Sequence, residues 1–153
     1  MRVAFDQLSF LVVEDSPPMR RILRTMIEAF GAARVVEAAD GIAGLAAFRE
    51  ASPDIVITDW EMPRLDGLGL VVALRDPALN PNPFVPVIMV SAYAEASRVV
   101  AAREAGVSEY LAKPVTPRAL YDRVLSVVAE PRSFRRVEGR LVPERRGQEG
   151  GRP

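Results

Sequence analysis

The 153-residue sequence contains neither cysteine nor histidine. Without cysteine there is no disulfide staple, no thiolate nucleophile and no thiolate metal site, and the absence leans toward a reducing, cytosolic compartment. Without histidine there is no serine or cysteine triad of the usual kind, no imidazole zinc site and no phosphohistidine. Carboxylates, hydroxyls and lysine must carry any chemistry. Net charge is missing too: 20 basic residues balance 20 acidic ones, so nothing global draws the chain to nucleic acid or to an anionic membrane. Nor is there a long apolar run. The longest uncharged stretch, between Asp76 and Glu95, is broken by Pro77, Pro81, Pro83 and Pro86 and carries Asn80 and Asn82, which excludes a membrane helix. Residues 1–10 carry Arg2 and Asp6 and lack the apolar core of a signal peptide. These absences predict a cytoplasmic protein with no membrane insertion.

What remains is organised. Five short apolar runs rich in β-branched residues recur at Phe10–Val13, Ala33–Val36, Asp54–Thr58, Val85–Val90 and Glu109–Ala112. Each has the composition of a strand buried on both faces. Between them apolar residues fall at helical spacing, as in Met19, Ile22, Leu23, Met26, Ile27 and Phe30, or Leu120, Val124, Leu125 and Val128. Helix starts are marked by Ser16 before two prolines, by Asp40, and by Thr116 before Pro117; Gly31 marks a stop. Five alternations of strand and helix predict an α/β fold: a flavodoxin-like, doubly wound, five-stranded parallel sheet in the order 2-1-3-4-5 with helices on both faces.

In that order strands 1, 3, 4 and 5 are consecutive neighbours, and the polar residues at their carboxyl ends converge. Glu14 and Asp15 follow strand 1, Asp59 follows strand 3, Ser91 follows strand 4 and Lys113 follows strand 5. Any one of these alone reads as a turn, a helix cap or a surface charge. Together they place three carboxylates, a hydroxyl and an ammonium in one crevice. Three carboxylates at close range repel one another, and a hard divalent cation with oxygen ligands relieves this best. Mg²⁺ fits, with Mn²⁺ as a substitute. An aspartate beside such an ion, with a lysine and a hydroxyl to hold added oxygens, is suited to accept a phosphoryl group.

The stretches carrying these residues, Val13-Glu-Asp-Ser16, Thr58-Asp-Trp-Glu-Met-Pro63 with Asp66-Gly67, Val90-Ser-Ala92 and Tyr110-Leu-Ala-Lys-Pro114, resemble the receiver domains of two-component response regulators. The resemblance runs from about Ser9 to Ala129. Asp-Trp-x-Met-Pro and Met19-Arg-Arg-Ile22 are closest to single-domain chemotaxis-type receivers. It implies that Asp59 is the phosphoacceptor, supplied by a histidine kinase or a histidine phosphotransfer protein. It further implies that Asp15 binds the metal directly, Glu14 through water, Asp59 through its carboxylate and Glu61 through its backbone carbonyl. Ser91 and Lys113 would grip the phosphoryl oxygens, the Lys113–Pro114 bond would be cis, Ser91 and Tyr110 would form the switch, and Glu61 and Tyr93 would tune phosphoryl lifetime. Such a protein is a regulator that catalyses only its own phosphorylation and dephosphorylation.

Two other functions use the same residues. An aspartyl-phosphate hydrolase would place Asp-x-Asp after strand 1, where this chain has Glu14-Asp15. A receiver-like scaffold that is never phosphorylated would typically lack the acceptor or the lysine, and both are here. The receiver is expected to occupy residues 1–130. After it, residues 131–153 hold seven arginines and three glutamates, leaving 13 basic and 17 acidic residues upstream. This basic tail is expected to be disordered or loosely docked and too short for an output domain. Output is therefore expected through protein contacts on the face of helix 4, strand 5 and helix 5, with no direct nucleic-acid binding.

Overall fold

A computed structural model describes residues 4–145. Five parallel strands, β1 (Ser9–Val13), β2 (Arg34–Ala38), β3 (Ile55–Thr58), β4 (Val87–Ser91) and β5 (Glu109–Ala112), form one sheet in the order β2-β1-β3-β4-β5. This is the doubly wound flavodoxin-like arrangement that the alternation predicts. The register aligns Val13 with Thr58, Thr58 with Met89, and Ser91 with Ala112, so the residues just beyond these positions leave the sheet at one edge.

Alternation along each strand divides the core into two layers. Leu11, Val13, Val56, Val87 and Met89 pack beneath α2 (Gly41–Ala51), α3 (Gly67–Leu74) and α4 (Ala96–Ala105). Phe10, Val12, Ile55, Ile57, Ile88 and Val90 pack beneath α1 (Pro17–Ala29) and α5 (Pro117–Ala129). Each such side chain, fully buried, contributes about 1.5–3 kcal/mol. Side-chain oxygens of Ser16, Asp40, Asp66 and Thr116 accept backbone N–H bonds at the starts of α1, α2, α3 and α5. The β4 strand begins at Val87, two residues later than its apolar run, because Pro86 has no N–H for the ladder. The β2 strand extends to Ala38, beyond the apolar run that marks it.

The segment after α5 departs from the expected disorder. Residues Phe134–Val137 (β6) and Arg140–Pro143 (β7) form an antiparallel hairpin. Its two-residue turn, Glu138 and Gly139, has φ of 50° and 83°, matching the twist that such a turn requires. Residues 146–153, the rest of the expected tail, lie outside the described residues. A lone hairpin is marginal in water, and this one is fastened to the body. Phe134 packs edge-on against Phe84 with ring centroids 5.2 Å apart, Val142 is buried, Leu141 N–H donates to Arg75 O, and Arg140 donates to the Glu104 carbonyl. No helix among the described residues is long and apolar enough to cross a membrane.

The anchor of this edge is Arg75, wholly buried at the end of α3. Its guanidinium donates to Gly106 O and Pro83 O at 2.8 Å and to Ser108 Oγ at 3.3 Å, and lies 5.1 Å from the centroid of the Phe134 ring. Burial lowers its pKa to about 9, which leaves it charged at neutral pH. Gly106 permits this approach: its φ is +126°, and a Cβ there would lie 2.6 Å from Arg75 Cγ. Arg75→Ala strands three acceptors and opens a cavity beneath Phe134. We expect a loss of about 3–5 kcal/mol in urea denaturation. A loss under about 1 kcal/mol would show that the guanidinium is dispensable.

Candidate functional site

At the carboxyl edge of the sheet the chain leaves β1 through Glu14 and Asp15, β3 through Asp59 and β5 through Lys113, while Ser91 ends β4. The backbone fixes these exits. Asp59 N–H donates to Val13 O, Lys113 N–H to Ser91 O, and Glu14 N–H to Ala38 O. Gly67 opens α3 directly over this edge: its N–H donates to Trp60 O, and a Cβ there would sit 2.0 Å from Asp59 O. Only glycine allows that approach.

The side chains meet as the strand order requires. One carboxylate oxygen from each of Glu14, Asp15 and Asp59 lies within 4.8 Å of the others. Glu14 and Asp59 are buried and Asp15 is exposed. The ammonium of Lys113 stands 3.2 Å from Glu14 Oε1 and 3.5 Å from Asp59 Oδ2. Trp60 N–H donates to Asp59 Oδ1 at 2.7 Å, and Ser16 N–H donates to Glu14 Oε2. Burial raises the Glu14 pKa, and the nearby Asp59 charge raises it further, while the Ser16 N–H and Lys113 oppose both. The donor set is hard oxygen at short range, with one exposed carboxylate opening the site to solvent. Those features suit a Mg²⁺-sized cation that keeps several waters.

The remaining predicted residues lie one shell out. Ser91 is buried, and its Oγ accepts from Tyr93 N–H at 3.1 Å. Tyr110 is partly buried against the α2–α3–α4 layer, and its hydroxyl donates to the Tyr93 carbonyl. The Tyr93 backbone is thus held on both sides, its N–H by Ser91 and its carbonyl by Tyr110. Glu61 is exposed, and its carboxylate pairs with Arg98 rather than facing the other acids. The Lys113–Pro114 peptide is cis.

Two arginines here escape a reading by motif. Arg20 on α1 donates to the Glu14 carbonyl at 2.7 Å and pairs with Glu37. Arg98 on α4 lies between the Trp60 and Tyr93 rings, 4.7 and 4.1 Å from their centroids. Arg20 sits in the motif-like Met19-Arg-Arg-Ile22, but its contact depends on how α1 packs. Arg98 has no local sequence signal, since its three partners come from two other loops.

The sequence profile of the response regulator receiver domain matches residues 10–125. The chemotaxis protein CheY of Pseudomonas aeruginosa is 33% identical over 133 residues, covering 86% of this chain and all of that protein. CheY1 of Helicobacter pylori is 36% identical over 118 residues, covering 76% of this chain and 94% of that protein. Among solved structures, Vibrio cholerae CheY4 superposes with a TM-score of 0.73 at 27% identity, over 80% of this chain and 99% of that one. The Borrelia burgdorferi CheX–CheY–BeF3–Mg²⁺ complex gives 0.71 at 25% identity, over 78% of this chain and 88% of that one. With its sheet order, its acidic pocket and the match across residues 10–125, the chain belongs to the response regulator receiver domain family, and to its single-domain chemotaxis type.

Proposed function

We propose that the protein is a phosphorylation switch in which Asp59 accepts a phosphoryl group from a phosphohistidine on a kinase or phosphotransfer partner. The observation that carries this is the close set of Glu14, Asp15 and Asp59 with Lys113 3.5 Å from Asp59 Oδ2. In the transfer the nitrogen–phosphorus bond of the donor breaks as an oxygen–phosphorus bond to Asp59 forms, and the imidazole leaves with its electron pair. Glu14 and Asp15, with Asp59 and the backbone carbonyl of Glu61, would hold Mg²⁺ or Mn²⁺, which supplies positive charge to the transferring oxygens. The Trp60 N–H fixes the Asp59 carboxylate for attack. Lys113 takes up the negative charge that develops, and the Ser91 hydroxyl turns from Tyr93 N–H toward a phosphoryl oxygen. The Borrelia relative in complex with BeF3 and Mg²⁺ supports this reading, because BeF3⁻ bonded to a carboxylate has the tetrahedral shape of a phosphoryl group.

Output follows from the same hydroxyl. When Ser91 turns to the phosphoryl group, the Tyr93 peptide loses one of its two holds, and Tyr110, bonded to its other end, is freed to move. Both changes fall at the junction of α4 and β5. We assign partner binding to the α4–β5–α5 face, where Val99, Arg103, Tyr110 and Arg123 line a groove of about 130 Å³. Arg132, between α5 and the hairpin, also lines it and pairs with Glu109 of β5. The partner is a protein, met in the cytoplasm; no direct contact with nucleic acid is assigned.

Acetyl phosphate and Mg²⁺ should add one phosphoryl group to the wild-type protein by intact mass, and none to Asp59→Asn. Equal uptake by the variant would move the acceptor elsewhere. In metal-free buffer Asp59→Asn should raise stability by about 1 kcal/mol, because it removes one of the mutually repelling carboxylates. Saturating Mg²⁺ should shrink that gain, and an unchanged or lower melting temperature without metal would count against the crowded-carboxylate account. The phosphorylating unit is assigned to residues 1–130. Truncation after Glu130 should lower the melting temperature, because it uncovers Phe84 and Arg75, yet leave phosphoryl uptake intact. Loss of uptake in folded truncated protein would place part of the machinery in the hairpin.

A further inference from the structure

The helix that would carry the signal is attached to the site in an unusual way. The starts of α1, α2, α3 and α5 are capped by a side chain, but the N-cap of α4, Glu95, makes no such bond. In the first turn of α4 stands Arg98, a cation where the helix dipole favours an anion. That placement is locally unfavourable and is offset by contacts made elsewhere. The guanidinium pairs with Glu61 Oε2 at 3.3 Å and lies 4.7 Å from the centroid of Trp60 and 4.1 Å from that of Tyr93. Trp60 and Glu61 belong to the loop after β3, immediately beyond Asp59, and Tyr93 belongs to the loop after β4, two residues beyond Ser91. One side chain from α4 therefore ties together two of the loops that leave the phosphorylation site. Arginine suits this role better than lysine, because its flat guanidinium stacks on rings while its edge donates to a carboxylate.

We propose that Arg98 is a positioning residue that holds the Tyr93 ring at the approach to Asp59 and the Glu61 carboxylate away from it, and thereby sets the lifetime of the phosphoryl group, resting on Asp59 being the acceptor. Hydrolysis requires a water in line with the bond to phosphorus. A tyrosine ring fixed at that approach excludes the water, whereas one free to rotate admits it. A Glu61 carboxylate paired with Arg98 is also held away from the role of a base that would orient that water. Removing the guanidinium releases both residues. The same tie makes the first turn of α4 responsive to the site, since a movement of the Tyr93 peptide pulls on the ring beneath Arg98.

The test uses the full chain, phosphorylated with acetyl phosphate and Mg²⁺ and then freed of donor, with decay of the acyl phosphate followed by intact mass. Arg98→Ala should decay about fivefold faster than wild type. Arg98→Lys should fall between the two, since it keeps the charge and loses the stacking. In a Tyr93→Ala, Glu61→Ala background, adding Arg98→Ala should change the rate little, because the residues through which it acts are gone. Decay of Arg98→Ala at the wild-type rate overturns the proposal, as does an undiminished effect in the double background. Trp60, the sole tryptophan, gives an independent reading of the geometry: its emission should shift in Arg98→Ala before any phosphorylation. No shift would mean that the guanidinium does not rest on the indole. If the wild-type protein takes up no phosphoryl group while the emission does shift, the Asp59 reading falls, and the lifetime proposal falls with it.

Discussion

Three carboxylates whose oxygens lie within 4.8 Å of one another, two of them on buried residues, repel strongly unless positive charge stands beside them. The rest of the structure is arranged around that repulsion. Lys113 reaches two of the three, the Trp60 and Ser16 amides donate to Asp59 and Glu14, and Asp15 opens to water. Even so, the Glu14 pKa is pushed up. Burial is the larger cause and the Asp59 charge the second, so the site combines desolvated carboxylates with like-charge repulsion, a setting in which a hard divalent cation is favourable. Lys113 is also the only lysine in a chain with 19 arginines. A compact ammonium fits between two carboxylates where a forked guanidinium would crowd them.

Ends of the molecule divide the work. The carboxyl edge of the sheet carries charge, while the opposite side of α3 and α4 is pinned by the buried Arg75, its three acceptors and the hairpin against Phe84. Fixing α4 near its C-terminal end through Arg140 and Val142, while its N-terminal end depends on Arg98, leaves the end nearer the site freer to respond. A helix pinned at one end and tied at the other to the loops of the site is suited to convert a small change at Ser91 into a tilt.

The strands, their order and the convergence of Glu14, Asp15, Asp59, Ser91 and Lys113 were legible because each rests on local chemistry: an apolar run, a cap, and a polar residue where the run stops. Parallel pairing with right-handed crossovers leaves few ways to assemble five such units, so local signals carried through to the sheet edge. The hairpin was not legible by the same means. Phe134 to Val137 includes two consecutive arginines, and its stability comes from Phe84, Arg75 and Glu104, all distant in sequence.

Sequence alone thus determined which groups stand at the carboxyl edge and which elements stop there, because strand ends and helix caps are encoded within a few residues. Tertiary structure alone decided how the side chains are shared. It turned Glu61 toward Arg98, joined the Tyr93 carbonyl to Tyr110 and its N–H to Ser91, and buried Arg75 among three acceptors without a carboxylate. Those partners come from different strands and helices, and a charge or a ring selects among them only by distance in the folded chain.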